Sequence, residues 1–233
     1  MSFYIGLSLL SNNGRGGRAR HELLTAEGRR ILSLLEGRSL KEDEIAKNER
    51  GRPFLPGNSG DFSISHSHAM AAVSLVKGEF RRTGCDIQIV QPRVSHRGIA
   101  ERFFSAPERD YIFACGDGQF DKNRFFEIWA LKECFLKLRG LSVFDMASVP
   151  SFILRDDSGS GYFAFEADQS LALSFHLYEL RGNSGERYFL AAALEGSVQD
   201  PPEIRWFSQS LPSRHIAAIK AALSPASTVS PKM

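Results

Sequence analysis

The sequence predicts an α+β fold built from two similar halves, each combining helices with an antiparallel meander. Three observations predict it. Runs with the alternating apolar and polar pattern of strands occur at residues 62–67, 71–76 and 84–90, and again at 151–155, 172–180 and 187–194. Segments with helical apolar spacing precede each set. The length, 233 residues, fits one large domain or two small ones. The duplication is a matter of architecture, because no internal sequence repeat is visible.

Taken in order, residues 2–10 are apolar and strand-like, and the glycine-rich stretch Asn12 to Gly17 reads as a loop. Leu23, Leu24, Ile31, Leu32 and Leu35 place a helix over 21–35 despite Gly28. A short helix over 40–47 follows, with Ser39 as its cap and Glu42 at the capping-box position. The three strands 62–67, 71–76 and 84–90 read as one meander, with 77–83 linking the last two. Helices are expected over 99–104, 107–115 and 124–139, before the second set of strands. Gln91-Pro92-Arg93 is the expected hinge, which divides the chain into halves 1–92 and 93–200. A Pro- and Ser-rich tail, 201–233, is expected to be peripheral, with one helix over 214–223 and a disordered end.

Composition excludes several classes. No apolar run is long enough to span a bilayer, and the N-terminus lacks a secretion signal, so the expected compartment is the cytoplasm, without membrane association. Cys85, Cys115 and Cys134 fit no zinc or redox spacing and read as buried free thiols. The net charge of +2 does not argue for nucleic acid. Positive charge is locally dense, however, at Arg15, Arg18, Arg20, Arg29 and Arg30, which form either a polyanion site or a solvated basic face. An α+β nucleic-acid binder using these arginines ranks last, because the aromatic strand motif of RNA-binding sheets is absent.

The most informative residues are Asp86, Glu133 and Lys137. Glu133 and Lys137 are four apart on the 124–139 helix and share a face. On the strand 84–90, Asp86 and Gln88 lie opposite the apolar Cys85, Ile87 and Ile89. If the two faces meet, two carboxylates can hold magnesium with water, and the lysine offers a point charge to phosphate. Spacing alone leaves blander readings open: Asp86 as a surface carboxylate, and Glu133 with Lys137 as a helix ion pair worth only about 0.3–0.5 kcal/mol.

Three motifs decide between these readings. Gly51-Arg52-Pro53-Phe54 followed by Phe62-Ser63-Ile64-Ser65-His66-Ser67 is similar to G-K-P and then F-N-I-S-H-S. Gly84-Cys85-Asp86-Ile87-Gln88 is similar to G-[VIC]-D-I-E. Phe103-Phe104-Ser105 with Glu108, then Trp129-Ala130-Leu131-Lys132-Glu133 and Lys137, is similar to F-F-S-x-x-E and W-x-x-K-E-x-x-x-K. In this order and spacing, spanning 51–140, they resemble the 4'-phosphopantetheinyl transferases of the surfactin-synthetase-activating type.

That resemblance implies a pseudo-two-fold pair of α+β halves with the site in the cleft between them. It also implies the reaction. Coenzyme A gives its 4'-phosphopantetheine arm to a serine of an apo acyl or peptidyl carrier protein, with magnesium, leaving adenosine 3',5'-bisphosphate. The implied metal ligands are Asp86, Glu133 and the position of Gln88, where glutamate is usual; an amide oxygen or water would serve there. Glu133 is the implied base, and Lys137 the pyrophosphate contact. Ser65, His66 and Arg52, an arginine in place of the family's lysine, are implied coenzyme A contacts, and Arg18 and Arg20 are offered for the 3'-phosphate. Lys132 takes a secondary electrostatic role. Glu108 reads as a first-turn helix glutamate and Trp129 as packing. The expected enzyme is a monomer. The rivals are a coenzyme A pyrophosphate hydrolase and a catalytically weak coenzyme A or carrier-protein binding module.

Overall fold

A computed structural model describes residues 2–10, 17–57, 60–78, 81–91, 96–113, 119–155, 162–165, 173–196, 202–207 and 216–220. The first half contains β1 (Ser2–Leu9), α1 (Gly17–Glu36), β2 (Ala46–Lys47), β3 (Pro53–Phe54), β4 (Asp61–Ser67) and β5 (Met70–Lys77). Next come β6 (Thr83–Ile89), α2 (His96–Phe103), α3 (Ala106–Phe113), α4 (Lys122–Arg139), β7 (Phe152–Arg155), β8 (Tyr162–Phe165), β9 (Leu173–Arg181) and β10 (Arg187–Glu195). Two further strands, β11 (Glu203–Trp206) and β12 (Ile216–Lys220), complete the described chain. Mixed helices and antiparallel sheets bear out the α+β class.

The two main sheets run β11-β1-β5-β4 and β12-β9-β10-β6. Without the outer strands β11 and β12, their orders are β1-β5-β4 and β6-β10-β9, each placing its first strand next to its last. In both units a strand and helices lead to a small hairpin, β2-β3 or β7-β8, and then to a large one. Strand β6, which precedes the expected hinge at 91–93, pairs with β10 in the second sheet.

The strand over 84–90 therefore does not extend the β4-β5 meander, as the sequence suggested. Strand β5 lies between β1 and β4, so both its hydrogen-bonding edges are occupied, and β6 pairs with β10 instead. The helix expected over 40–47 is a single 3₁₀ turn, Glu42–Glu44. Glu44 there accepts the Lys41 amide at 2.7 Å and donates its own amide to the Lys41 carbonyl at 3.2 Å, so the turn closes two residues later than a Ser39–Glu42 box would place it, and β2 starts at Ala46. In place of the helix over 214–223 stands β12, seated on the open edge of β9. The Asn12–Arg15 stretch, Pro92, Arg93, Cys115 and the chain end lie outside the described residues. Among the described residues no helix is long and apolar enough to cross a membrane.

Helix α1 buries Leu24, Gly28, Ile31, Leu32 and Leu35 over the first sheet. The opposite faces of the two sheets share a core that includes Phe3, Ile5 and Leu7 with Cys85, Ile87 and Leu190. Helix α4 packs on the second sheet, inside the cluster of Phe125, Leu131, Leu138, Phe175 and Phe189. It starts at Asp121, whose carboxylate accepts the Asn123 and Arg124 amides at 2.8 and 3.2 Å, and stops at Gly140, which takes a left-handed φ of 65°. Trp129 stacks near Phe104 and Phe125, the packing role expected of it.

Candidate active site

The site forms where the edges of the two sheets meet, at β4 and β6. Here side chains replace the usual backbone ladder. Ser65 Oγ accepts the Ile87 amide at 3.2 Å, Ser67 Oγ accepts the Ile89 amide at 3.0 Å, and Cys85 Sγ donates to the Ser63 carbonyl at 3.2 Å. At the start of β6, Arg52 donates to Asp61 and, at 2.9 Å, to the Thr83 carbonyl, while Asp61 accepts the Thr83 amide at 2.8 Å. Burial pushes the Asp61 carboxyl upward against the charge of Arg52.

Gly84 brings α4 onto this seam. A Cβ there would lie 2.4 Å from the Cys134 carbonyl oxygen and 2.9 Å from the Leu138 nitrogen, both rigid backbone. With the helix this close, one turn of it faces Asp86. Lys137 Nζ donates to Asp86 Oδ1 at 2.7 Å and to Ser65 Oγ at 2.8 Å. Ser65 in turn donates to Asp86 Oδ1 at 2.8 Å, and Gln88 Nε2 donates to Asp86 Oδ2 at 2.8 Å. Asp86 is 2% exposed, and the lysine charge compensates its burial. Lys137 is held protonated: burial opposes its charge, but Asp86 and other neighbours outweigh that and raise its pKa.

Glu133, one turn earlier, is different. No hydrogen bond or ion pair holds its carboxylate among the described residues. Burial, then the like charge of Asp86, pushes its pKa to about 7, against the pull of Lys137. A carboxyl poised there is half protonated near neutrality, the condition of a useful general base.

The donor set can be tested for magnesium. Among the described residues no group of three or more His, Cys, Asp or Glu side chains is placed to hold a metal ion. Two carboxylates that repel one another are present, and a hard divalent cation would relieve that repulsion while keeping several waters. Asp86 and Glu133 fit such an ion. Gln88 directs its amide nitrogen to Asp86, so it orients the carboxylate in this arrangement instead of presenting an oxygen.

Lys137 also lines a cleft of about 230 Å³ with Gly51, Arg52, Pro53, Ile64 and Gly140. The first motif and the end of α4 thus face each other across one cavity. On the other side of β4, His66 meets His21 of α1 edge to face at 4.8 Å between ring centres, and burial, then His21 and Lys137, lowers its pKa. Arg20 reaches His68 at 3.4 Å, and His68 holds the turn with φ 54°. Arg18 is apart from these groups: its side chain is 92% exposed and bonded to Glu22 at 2.8 Å.

Two features escaped the sequence reading. His21 was hidden among helix-surface residues, and only its distance from Arg20 by one position hinted at a shared role. Glu108 is a first-turn glutamate, bonded to the Ser105 amide at 2.8 Å, but it is also fully buried. Its other oxygen accepts the Phe152 amide at 2.8 Å and lies 3.1 Å from Lys132 Nζ. Lys132 is therefore an internal ion-pair partner pinning α3 and β7 to α4, and not a cation of the cleft.

A family model described as the 4'-phosphopantetheinyl transferase superfamily matches residues 82–193, which include Asp86, Glu133 and Lys137. The 4'-phosphopantetheinyl transferase AcpT of Escherichia coli O157:H7 is 33% identical over 132 residues, covering 54% of this chain and 66% of the relative, just under two thirds of that protein's length. Its counterpart in Salmonella typhimurium is 33% identical, with 54% and 67% covered. A phosphopantetheinyl transferase of Thraustochytrium is 26% identical over 206 residues, 80% of this chain and 69% of the relative. The matched stretch holds β6 with Asp86 and α4 with Glu133 and Lys137, and the chain belongs to the 4'-phosphopantetheinyl transferase superfamily.

Proposed function

We propose that this protein, acting as a cytoplasmic monomer, transfers 4'-phosphopantetheine from coenzyme A to a serine of an apo acyl or peptidyl carrier protein. The observation that carries this reading is the Asp86–Lys137 pair with Glu133 one turn away, the lysine lining the cleft of the first motif. In the reaction the serine oxygen bonds to the phosphorus bearing the pantetheine arm. The phosphorus–oxygen bond to adenosine bisphosphate breaks, and the leaving phosphate keeps the electron pair. The serine proton passes to Glu133, whose pKa near 7 suits it to accept a proton at neutral pH. Lys137, kept charged by Asp86, stabilises the pyrophosphate as charge develops.

Asp86 and Glu133 would hold magnesium, with water or Gln88 at the remaining protein position. When bound, it supplies charge neutralisation at the pyrophosphate oxygens. Ser65 orients Asp86 and Lys137 together. His66 and Arg20 are read as phosphate contacts of coenzyme A, joined by His21 and His68. Arg52 contributes positive potential to the cleft while part of its guanidinium is committed to Asp61 and Thr83.

The experiment is incubation with coenzyme A, magnesium and a panel of apo carriers, followed by intact mass. A carrier that gains one phosphopantetheine with the wild type and none with Asp86→Ala supports the proposal. No gain on any carrier, with free 4'-phosphopantetheine accumulating, would establish hydrolysis in its place.

A further inference from the structure

Strands β4 and β6 belong to different sheets, yet the contacts between them keep a constant step. Asp61 accepts the Thr83 amide, the Ser63 carbonyl accepts from Cys85 Sγ, Ser65 accepts the Ile87 amide and Ser67 accepts the Ile89 amide. Each pair is 22 residues apart, so the two strands run parallel in a single register. The partners on β4 are every second residue, which puts them on one face of the strand. The residues between them face the other way: Phe62 and Ile64 pack with Leu24 and Ile31 of α1, and His66 meets His21. One face of β4 therefore serves α1 and the other serves β6.

Strand β6 is the edge of its own sheet, beyond β10, and the amides along an edge need acceptors. Side chains of β4 supply them, but the two ends of the seam are not equally held. At Thr83, Asp61 takes the amide, Arg52 donates to the carbonyl at 2.9 Å, and the threonine hydroxyl donates to the Ala193 carbonyl at 2.7 Å. At Ile89 the tie from β4, among the described residues, is one hydroxyl, that of Ser67, at 3.0 Å. Asp86 lies midway, three residues from Thr83 and three from Ile89. A strand fixed at one end and loose at the other turns about the fixed end, and the side chains between move with it. Asp86 is the residue this disturbs most, because its carboxylate meets Ser65 and Lys137 at once.

We propose that Ser67 is a positioning residue of the transfer reaction: its hydroxyl fixes the far end of β6 against β4 and so sets where the Asp86 carboxylate stands. The inference rests on the transferase reading. Ser67 is not part of the cleft wall and acts through the Ile89 amide. Its loss leaves the cations of the cleft in place and loosens the strand that carries the carboxylate.

The test is Ser67→Ala in the full chain, with Ser67→Thr as the conservative variant, and it has two readouts. The first is amide hydrogen exchange followed by NMR. In Ser67→Ala, exchange at Ile89 and Ile87 should quicken by about tenfold or more, while Thr83 at the held end stays as protected as in wild type. The second is transfer to an apo carrier that the wild type modifies, with saturating magnesium and varied coenzyme A. In Ser67→Ala, kcat should fall by about tenfold or more with KM for coenzyme A within about twofold, because positioning is lost and the phosphate contacts are kept. Ser67→Thr keeps the hydroxyl and should return both readouts to near the wild-type values. Faster exchange at Ile89 alone, with kcat unchanged, overturns the inference and leaves a hydrogen bond that serves stability only. A rise in KM for coenzyme A at unchanged kcat also overturns it, and assigns Ser67 to the support of its neighbours His66 and His68. Ser67→Thr as impaired in kcat as Ser67→Ala overturns it too, since the hydroxyl is then not the group at work. If Ser67→Ala does not fold, Ser67→Cys puts a weaker acceptor in the same place and should give the same changes on a smaller scale. Failure of the wild type to modify any carrier is a different outcome: it refutes the transferase reading, and the inference falls with it.

Discussion

His176 makes stability depend on pH in a way that one substitution should remove. It sits on β9, 1% exposed, between Phe3 and Tyr178, and neither ring nitrogen has a hydrogen-bond partner among the described residues. Burial lowers its pKa from 6.5 to about 4. The unfolded chain therefore takes up a proton below pH 6.5 that the folded chain refuses until about pH 4. Stability from this group is fully present above the unfolded value and is lost as pH falls through the window between the two. At about 1.4 kcal/mol per pH unit the whole loss is about 3 kcal/mol, of which about 2 kcal/mol has gone by pH 5. His176→Leu replaces the ring with an apolar side chain of similar size. It should be at least as stable at pH 7.5, because two buried unpaired nitrogens disappear. Urea unfolding of both proteins at pH 7.5 and pH 5 measures the effect. The variant should lose about 2 kcal/mol less than wild type between these values. Equal losses in the two proteins would refute the reasoning and assign the acid sensitivity to other groups, such as His66 and His96, whose pKa values burial also lowers.

Other outcomes follow from the site and its supports. Lys132→Met should cost about 3–5 kcal/mol in denaturant unfolding, because it leaves the Glu108 carboxylate buried without its cation; Lys132→Met with Glu108→Gln should recover much of that loss. Gln88→Glu places a third carboxylate against Asp86, so thermal stability should fall in chelator and rise more steeply with added magnesium than in wild type; an identical magnesium response would show that position 88 does not face the ion. Arg18→Ala should leave coenzyme A binding within about twofold, since that side chain is solvated, whereas Arg20→Ala should weaken coenzyme A about tenfold and dephospho-coenzyme A less, both read by calorimetry.

The α+β class and the meeting of Asp86, Glu133 and Lys137 were legible because each rests on a local period. Alternation puts Asp86 and Gln88 on one strand face, and a four-residue step puts Glu133 and Lys137 on one helix face. What alternation does not encode is which edge a strand will join. The strand over 84–90 looks like the third of a meander in sequence, and only the occupancy of both edges of β5 sends it to β10. Arg18 and Arg20 illustrate the same limit. Two arginines two positions apart on a helix point in different directions, so one meets His68 and the other pairs with Glu22 on the exposed surface. The Glu108–Lys132 pair was hidden because burial of charge is a tertiary property: each residue by itself looks like helix surface.

The position of the site follows from how the two sheets are joined. A site built across two sheet edges has no continuous backbone ladder to align it, so alignment falls to side chains. Ser65 performs both tasks with one hydroxyl. Its oxygen accepts the Ile87 amide across the seam and the Lys137 ammonium from α4, and its proton goes to Asp86, which fills its hydrogen-bonding capacity. Any displacement of β4 relative to β6 would therefore disturb the Asp86–Lys137 pair. Gly84 fixes the third partner, because only without a Cβ can the α4 backbone lie against β6 at that point. The motif serine and the motif glycine thus set the distance between a carboxylate on a strand and a lysine on a helix. Preorganisation of that kind is what phosphoryl transfer demands of a protein, since positioning and charge supply most of the catalysis.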